Sequence, residues 1–462
     1  MNFLYILLAL FIFGILVFIH ELGHFLVARW CGVQILEFAI GMGPKLVSKK
    51  SKKTGTVYSL RLLPIGGFVS MLGENGMEAV QGSSEQKDDE NSDQLFFING
   101  DEEDPYTPDP VPVVDEEQAK HAYCNQSVWK RILISLAGPL MNVILGFLLM
   151  FVIIVAAGRW NVATTTVADF HIVYQAEEER SGLVRGDYID AINGTEINSF
   201  AQMKELVAAD EDGLLEITVR RLNAEGTDIV TQSFADVPLD AASLDTLFVS
   251  SVSEQSGLQV KDQIIKVNNV RVHTHYELSY EIMMQGYRAV DLTVIRNGEK
   301  VVLENVLFPN TVDGESNITV GTIDFRVYPE SEYHLGTILK HTWYRSVSMV
   351  KMVYDSLIGL FSGRYGIEAV SGPVGITKQI TEIAKTGVLN LVSMMAIISI
   401  NLGVMNLLPF PALDGGHLLL YIIEIIRRKP VKKELEGIIN FVGLVILLSF
   451  ALIIAIKDII TL

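Results

Sequence analysis

The sequence predicts a polytopic α-helical membrane protein with four transmembrane helices, two tandem small α+β domains and a membrane-associated β-hairpin. Three observations support this fold class: four long apolar runs, an internal repeat between the second and third runs, and a strand-like stretch between the first two. The chain has 462 residues, 49% of them hydrophobic, and a mean hydropathy of +0.34, which is high for a soluble protein. Membrane segments and several domains are therefore expected.

The four apolar runs cover residues 3–28, 132–157, 388–410 and 438–456. Each is long enough to cross a hydrocarbon core of roughly 30 Å as a helix. The first run is as apolar as a signal peptide, but it lacks a basic leading segment and a small-residue cleavage site. Because its removal would also discard the histidine motif described below, we expect it to be retained.

Basic residues near the ends of these runs predict their orientation. Five lysines between residues 45 and 53 follow the first run, Lys130 and Arg131 precede the second, and a basic cluster from Arg427 to Lys433 connects the third to the fourth. Basic residues accumulate in cytoplasmic loops. Both termini and the repeat are therefore expected on the outer side of the membrane.

Most of the acidity lies in one segment. The formal charge is −18, and residues 74–117 contain 15 acidic residues and one lysine. This composition predicts a flexible insert, for which a solvating loop without a specific role is the favoured interpretation. The charge is therefore local, and no nucleic-acid partner is predicted. The two cysteines, Cys31 and Cys124, imply no disulfide framework.

The sequence His20-Glu21-Leu22-Gly23-His24 lies in the last turns of the first apolar run. On a helix, His20 and His24 are one turn apart on the same face, so two imidazoles can bind one metal ion with Glu21 beside it as a general base. The same pattern arises by chance on solvated helix faces. Here the flanking residues are apolar, and ionisable residues in a membrane segment usually serve a function. The context therefore favours a metal site.

A catalytic zinc ion usually has three protein ligands and a water, so a third ligand is needed. Asp414 is the only acidic residue between Glu382 and Glu424, and the predicted topology places it on the same side of the membrane as the two histidines. Prolines and glycines around it unwind the helix end, which suits a metal and substrate site. A helix stop with an interfacial aspartate would also explain Asp414, but not Asn406 inside the span. For His417 an interfacial position is favoured over a supporting role at the metal.

Two stretches next to the second run bear on the site. Residues 56–63 alternate partly like a strand, and residues 64–67 interrupt them before residues 68–71. A hairpin that dips toward the membrane and an ordinary cytoplasmic hairpin are equally compatible with this pattern. At the start of the second run, Gly138 and Pro139 allow close helix contact, and Asn142 needs a partner inside the bundle, so a packing role is favoured for them.

An internal repeat with an offset of 75 residues lies between the second and third runs. Residues 181–194 are matched by residues 256–269. Each copy is followed by a helix-compatible segment, 200–208 or 276–285, and by a strand, 215–220 or 290–296. Two tandem α+β domains follow from this repeat. After them, apolar residues at helical spacing from Trp343 to Leu357 predict an amphipathic helix on the membrane surface or against the domains.

The repeated pattern resembles PDZ domains, and the first copy matches their glycine-rich stretch closely. The second copy has Lys261 and Asn269 where the pattern has glycines. The resemblance implies peptide binding by strand addition. A role as a spacer or steric gate without a peptide ligand is an equal alternative.

Four features together resemble the bacterial site-2 proteases, which are intramembrane zinc metalloproteases, and particularly the RseP type that regulates the sigma-E envelope stress response. These features are the histidine motif in the first span, residues 406–416 in the third, the stretch around Gly138, and the paired PDZ-like domains. The resemblance implies that His20, His24 and Asp414 bind Zn2+ and that Glu21 is the general base. The residues that it implies for substrate binding are Asn406, Gly66, Gly67 and Phe68.

The implied organisation divides the chain into nine segments. They are a first span with the histidine motif (1–30), the hairpin region (31–74), the acidic insert (75–125), a second span (130–158), two PDZ-like domains (159–235 and 236–310), a linker with the amphipathic helix (311–387), a third span (388–417) and a fourth span (437–458).

The implied function is cleavage within the transmembrane segment of single-pass membrane proteins, such as an anti-sigma factor or remnant signal peptides, after a first cut on the outer side. The implied location is the bacterial inner membrane, with the termini and PDZ-like domains in the periplasm and the active site near the cytoplasmic side. A non-catalytic scaffold that binds envelope peptides is the main alternative. A metal transporter would need polar groups along several spans, and only the first and third carry them.

Overall fold

A computed structural model of the chain describes residues 3–74, 119–158, 162–210, 212–222, 229–312, 319–364, 366 and 370–460. The chain divides into two compact units. The first unit comprises Met1–Gly146 and Ser371–Leu462, and the second comprises Phe147–Val370. Most of the predicted acidic insert, residues 75–118, lies outside the described residues.

Eleven α-helices lie in the described residues. They are α1 (Phe3–Trp30), α2 (Val128–Ala157), α3 (Phe200–Ala209), α4 (Leu244–Leu247), α5 (Val252–Gln255), α6 (His275–Gln285), α7 (Leu335–Phe361), α8 (Pro373–Thr386), α9 (Val388–Asn406), α10 (Asp414–Arg427) and α11 (Lys433–Ile460). Among them, α1, α2, α9 and α11 contain stretches long and apolar enough to cross a membrane, which confirms the four predicted apolar helices.

The third of these helices ends earlier than the predicted range 388–417. Helix α9 ends at Asn406, and Asp414 is the first residue of a separate helix, α10. Pro409 and Pro411 explain the break, because proline lacks a backbone N–H and disfavours helical geometry in the residue before it. Asp414 therefore lies on a helix of its own rather than at the end of a span.

Sixteen strands lie in the described residues. They are β1 (Ile35–Lys50), β2 (Val57–Met71), β3 (Ala163–Phe170), β4 (Val173–Tyr174), β5 (Tyr188–Ile192), β6 (Thr195–Glu196), β7 (Leu214–Leu222), β8 (Ile229–Pro238), β9 (Phe248–Val249), β10 (Gln263–Val267), β11 (Val270–Arg271), β12 (Val290–Arg296), β13 (Glu299–Val306), β14 (Asn310–Val312), β15 (Thr319–Gly321) and β16 (Phe325–Pro329).

Strands β1 and β2 form the predicted hairpin in the first unit. Residues 37–40 pair with residues 67–70 on one side and with residues 57–60 on the other. Strand β2 continues through residues 64–67, where the sequence predicts an interruption. Gly66 adopts a φ of +82° there, which lets the strand bend without ending. The bend carries the last part of β2 back along the first part of β1.

The membrane helices of the first unit pack at small residues. A Cβ on Gly23 of α1 would lie 2.4 Å from the carbonyl oxygen of Ala137 in α2, and one on Gly146 of α2 would lie 2.4 Å from Ile400 in α9. Ser399 Oγ also donates a hydrogen bond to the backbone oxygen of Asn142. Close approach of this kind is the usual way in which membrane helices gain contact. It fixes α2 between α1 and α9.

The second unit contains two six-stranded sheets, which we call sheet A and sheet B. Sheet A has the order β8-β7-β5-β4-β9 with β6 on β5, and sheet B has the order β13-β12-β10-β3-β16 with β11 on β10. The predicted helical segments 200–208 and 276–285 are α3 and α6, and the predicted strands 215–220 and 290–296 are β7 and β12. Each copy of the repeat therefore contributes one helix and its own sheet.

The sheets do not follow the predicted boundaries 159–235 and 236–310. Strand β3 opens the first range but pairs with β10 and β16 in sheet B. Its Val167 and Phe170 belong to the apolar core of that sheet, together with Phe325 of β16. Sheet A is therefore an insertion between β3 and the rest of sheet B, and sheet B extends beyond residue 310.

The predicted amphipathic helix is α7, and one of its faces packs against the domain that contains sheet B. Tyr280 of α6 donates a hydrogen bond to Asp355 over 2.6 Å, and Lys351 forms an ion pair with Glu281. These contacts favour the interpretation of a helix held against the domain. Elsewhere on the helix, Leu339 and Trp343 are more than half exposed, at 52% and 58%.

Candidate metal centre

Helix α1 places His20 and His24 one turn apart, as their spacing predicts. Only 8% of His20 and 9% of His24 is accessible to solvent. Their Nε2 atoms lie 3.2 Å apart, and the two rings meet edge to face with centroids separated by 4.9 Å. Both imidazoles therefore point their Nε2 atoms into one small volume.

Asp414 reaches the same volume from the first turn of α10. Its Oδ2 lies 3.1 Å from His20 Nε2 and 3.5 Å from His24 Nε2. A zinc ion bound tetrahedrally to nitrogen and oxygen at about 2.0–2.2 Å would separate its ligand atoms by roughly 3.3–3.5 Å. The three donor atoms are thus spaced for one metal ion, and these residues fit zinc. Among the described residues, they are the group of three whose atoms meet closely enough to hold a metal ion.

The outer nitrogen of each imidazole has a partner that orients the ring. His24 Nδ1 donates a hydrogen bond to the carbonyl oxygen of Ile134 over 2.8 Å, which leaves the lone pair of Nε2 available for a metal. His20 Nδ1 lies 3.2 Å from the side-chain amide of Asn142, whose Oδ1 is buried without a hydrogen-bond partner. With the amide turned so that Oδ1 faces Nδ1, His20 also presents its Nε2 lone pair to the metal.

Gly138 makes room for the site. A Cβ at this position would lie 2.2 Å from His24 Nε2, so any side chain would displace the imidazole. The close contact between helices that Gly138 was expected to allow is therefore a contact with the imidazole of His24.

A cavity of about 260 Å3 opens beside the three donor atoms. Glu21, Phe68 and Val69 line it together with the two histidines and Asp414. The backbone N–H of Val69 interacts with the Glu21 carboxylate, and a Cβ on Gly67 would lie 3.3 Å from Glu21 Cγ. The last part of β2 thus lies directly against the predicted general base.

The predicted substrate-binding residues differ in how close they lie to this cavity. Phe68 lines it, and Gly67 contacts Glu21. Gly66 faces Met42 instead, whose Cε would lie 2.9 Å from a Cβ at that position. Asn406 ends α9 and is half-buried, and it is not among the residues that line the cavity. Phe68 and Gly67 are therefore joined to the site, whereas Gly66 and Asn406 are not.

Several lining residues were not predicted as part of the site. Tyr123 and Tyr421 join their hydroxyl groups over 2.8 Å, and His417 lies 3.2 Å from Glu436. Burial raises the pKa of Tyr123 to about 12, so its hydroxyl stays protonated and can donate a hydrogen bond. Tyr123 lies just before α2, and the sequence around it carries no motif that could have identified it.

Asn142, for which the sequence favoured a packing role, lies at the candidate site. It is completely buried and contacts His20. A signal was present, because Gly138 and Asn142 are four residues apart and so share one face of α2. That face is the one that α2 turns toward the histidines.

This arrangement is typical of zinc-dependent hydrolases: two histidines on one helical turn, a neighbouring glutamate and a carboxylate from a distant helix. Here it lies in a chain with helices apolar enough to span a membrane. The chain belongs to peptidase family M50, whose sequence profile matches residues 8–450.

Curated relatives cover nearly the whole chain. The Regulator of sigma-W protease RasP of Bacillus subtilis is 29% identical over 491 aligned residues, which cover 97% of this chain and 96% of the relative. The Zinc metalloprotease RasP of Geobacillus kaustophilus is 30% identical, with coverage of 97% and 96%. The Probable protease eep of Enterococcus faecalis is 27% identical, with coverage of 94% and 93%. The predicted enzyme class, a zinc metalloprotease, is thereby confirmed.

Proposed function

We propose that this zinc metalloprotease cleaves peptide bonds inside the membrane-spanning segments of single-pass proteins. One observation carries the proposal. The histidines and Glu21 lie on α1, a helix apolar enough to span a bilayer, and the cavity beside them is lined by a strand of the hairpin. A protease whose reactive groups lie in such a helix can reach bonds that soluble proteases cannot.

In this proposal His20, His24 and Asp414 hold the metal and Glu21 moves protons. A zinc ion held there supplies a Lewis acid that polarises a carbonyl and lowers the pKa of water. Glu21 accepts the proton of the attacking water and later delivers it to the nitrogen of the leaving amine. Ile134 and Asn142 keep the imidazoles in position through their outer nitrogens.

The hairpin offers a way to expose the scissile bond. A helical substrate hides its carbonyl groups in internal hydrogen bonds, which cannot be replaced by water inside a bilayer. Pairing of the extended substrate with the last part of β2 would replace them. The proximity of Gly67 and Val69 to Glu21 supports this role for the hairpin. Asn406 is proposed to contact the substrate from the end of α9.

The second unit is proposed to act on the outer side of the bacterial inner membrane, as a pair of PDZ-like domains. It would exclude substrates that still carry a large outer domain or bind their peptide ends. The protease would then make the second cut in regulated intramembrane proteolysis, with an anti-sigma factor or remnant signal peptides as substrates. The name of the Bacillus subtilis relative, which describes that protein as a regulator of sigma-W, supports a role of this kind.

Replacement Glu21→Gln tests the proposed chemistry. We expect cleavage of a single-pass model substrate, reconstituted with the full-length enzyme, to fall by about 10²–10⁴-fold, because a positioned general base contributes that factor. Bound zinc, measured by elemental analysis, should be unchanged because Glu21 is not a proposed ligand. Glu382→Gln changes an exposed residue on α8 in the same way and should leave both quantities unchanged. Full cleavage by Glu21→Gln would exclude Glu21 as the base.

The position of the cut tests the proposed substrate class separately. Mass spectrometry of the products should place the cleaved bond within the apolar segment of the model substrate. Cleavage restricted to its soluble flanks would contradict intramembrane proteolysis while leaving the metalloprotease activity intact.

A further inference from the structure

A second cavity, which we call the basic cavity, lies on one face of sheet B. It has a volume of about 430 Å3, and strands β3, β10, β11 and β13 together with helix α7 contribute to its lining. Its basic lining residues are Lys266, Arg271, His273, Lys300 and Lys340. None of the described residues that line it is acidic. Neither the protease chemistry nor the hairpin uses this cavity.

The positive charge of the basic cavity is only partly compensated. Lys340 lies 2.9 Å from Glu330, and His273 lies 3.5 Å from Glu277. Elsewhere in the described part of the chain, no carboxylate lies within ion-pair distance of Lys266, Arg271 or Lys300. An anion that enters the cavity therefore meets a net positive potential.

Helix α7, which contributes Lys340 to the basic cavity, also contacts the apolar helix α2. Lys340 and Trp343 are three residues apart and lie on the same side of α7. The Trp343 ring meets the ring of Phe147, in the membrane-spanning helix α2, edge to face at 5.7 Å. Just before α7, Tyr333 donates a hydrogen bond to the carbonyl oxygen of Ile154 in α2 over 3.0 Å. The lining residue Lys340 thus lies one helical turn from a side chain that contacts a helix apolar enough to span a membrane.

We propose that the basic cavity binds the phosphate headgroup of an anionic phospholipid, whose acyl chains lie along Leu339 and Trp343. Basic pockets next to membrane helices bind lipid phosphates in this way, and tryptophan favours the membrane interface. The exposed side chains of Leu339 and Trp343 supply the apolar surface that a free phosphate would not need. Such a lipid would anchor sheet B to the membrane independently of the metal centre.

The strand pairing favours a headgroup over a peptide. Peptides that bind by strand addition need a free sheet edge. Strand β10 is paired with β12 and β3, and β3 is paired with β10 and β16, so these two lining strands have both edges occupied. Strand β13 lies at an edge of the sheet but contributes only Lys300 to the lining. Helix α6 also contributes no residue to the lining.

Native mass spectrometry of the delipidated full-length protein, titrated with phosphatidylglycerol or with phosphatidylcholine of the same chain length, tests this proposal. We expect phosphatidylglycerol to be retained at least about tenfold more strongly, and less so at higher salt. The double variant Arg271→Gln, Lys300→Gln should retain roughly 30-fold less, the factor expected for two basic side chains at an anionic lipid.

Two matched variants distinguish an effect of the basic cavity on lipid binding from effects of total charge and of folding. Arg288→Gln with Lys204→Gln removes the same two residue types from positions outside the cavity, of which Arg288 is exposed and Lys204 half-buried, and should bind phosphatidylglycerol as the unmodified protein does. Arg271→Lys with Lys300→Arg keeps the charge of the cavity and should also bind normally.

Three outcomes would overturn the proposal. They are equal phosphatidylglycerol binding by the Gln double variant and the unmodified protein, competition by free glycerol 3-phosphate as strong as by the lipid, and tighter binding of an acidic peptide than of phosphatidylglycerol in the cavity. The first outcome would exclude the basic cavity as the binding site. The second would exclude a contribution of the acyl chains to binding, and the third would exclude a phospholipid as the preferred ligand.

Discussion

Asp414 in the first unit and Asp262 in the second are both carboxylates withdrawn from water, but their partners differ. The Asp262 side chain is completely buried and accepts hydrogen bonds from Arg296 over 2.7 Å and from the backbone N–H of Gln259 over 2.9 Å. Asp414 retains 21% exposure, and in the described residues its close partners are two histidines, with no lysine or arginine paired to it. Within the described residues, one carboxylate is therefore paired with an arginine and the other with two histidines.

The buried pair of an aspartate with an arginine occurs in both copies of the repeat, which indicates a structural role. In the first copy, Asp187 and Arg221 form the same buried pair over 2.6 Å, with both residues displaced by 75 positions from Asp262 and Arg296. A buried charge is tolerated only when it is paired and hydrogen-bonded. At Asp414 the close partners are instead two imidazoles, which together with the carboxylate form the donor set proposed to bind zinc. Variants at these two kinds of site should therefore fail in different ways.

Asp414→Asn should have the largest effect on metal binding. The variant removes the charged member of the three donors, so we expect zinc affinity to fall more than about 100-fold, beyond the 10- to 100-fold typical of an outer partner. Competition with a chelator, followed by elemental analysis, measures this affinity. Hydrogen exchange in sheets A and B should be unchanged. If zinc bound as tightly as before, the third ligand would be another residue.

Asp262→Asn should have the opposite effect, destabilising sheet B without changing zinc binding. The variant leaves Arg296 without its counter-charge, which we expect to destabilise sheet B by about 3 kcal/mol, toward the lower end for a buried pair because Arg296 retains 22% exposure. Exchange of the β10 and β12 amide hydrogens should accelerate by roughly 100-fold while zinc content stays constant. Asp245→Asn, at an exposed pair with Lys204, should change exchange very little. Similar acceleration in both variants would mean that the buried pair has no special weight.

Asn142→Leu should weaken metal binding without removing a ligand. The variant keeps the size of the side chain but leaves His20 Nδ1 without its partner, and we expect zinc affinity to fall by about 10- to 100-fold. Asn390→Leu, at an exposed position on α9, provides the control. Unchanged zinc affinity in Asn142→Leu would mean that Asn142 serves only in packing, as the sequence favoured.

The sequence could predict those parts of the candidate site that depend on the spacing of residues along one helix or on the order of the spans. His20 and His24 are set by one helical turn, and Asp414 followed from the orientation of the spans. The role of Asn142 depends on how α2 is rotated about its axis against α1, which spacing within α2 does not determine. Strand β3 joins sheet B through pairing with β16, and it lies before residue 181, where the repeat begins, so the repeat could not assign it.

Lys261→Gly tests the two copies against each other at the turn before the buried aspartate. Gly186 adopts a φ of +96°, and Lys261, at the equivalent position, adopts +73°, so the second copy keeps the turn despite the departure from the PDZ-like pattern. A residue with a Cβ is disfavoured in this backbone conformation by roughly 1–2 kcal/mol. Replacement by glycine removes this cost, but part of the benefit is lost because glycine has more conformational freedom in the unfolded chain. We expect Lys261→Gly to stabilise sheet B by about 0.5–1 kcal/mol, which should slow hydrogen exchange of the β10 amides.

The matched change Gly186→Lys should speed hydrogen exchange of the β5 amides by a similar factor. No atom lies within 4 Å of a Cβ at Gly186, so any effect of this change reports backbone conformation alone. Equal exchange in Lys261→Gly and the unmodified protein would show that the turn in sheet B carries no strain.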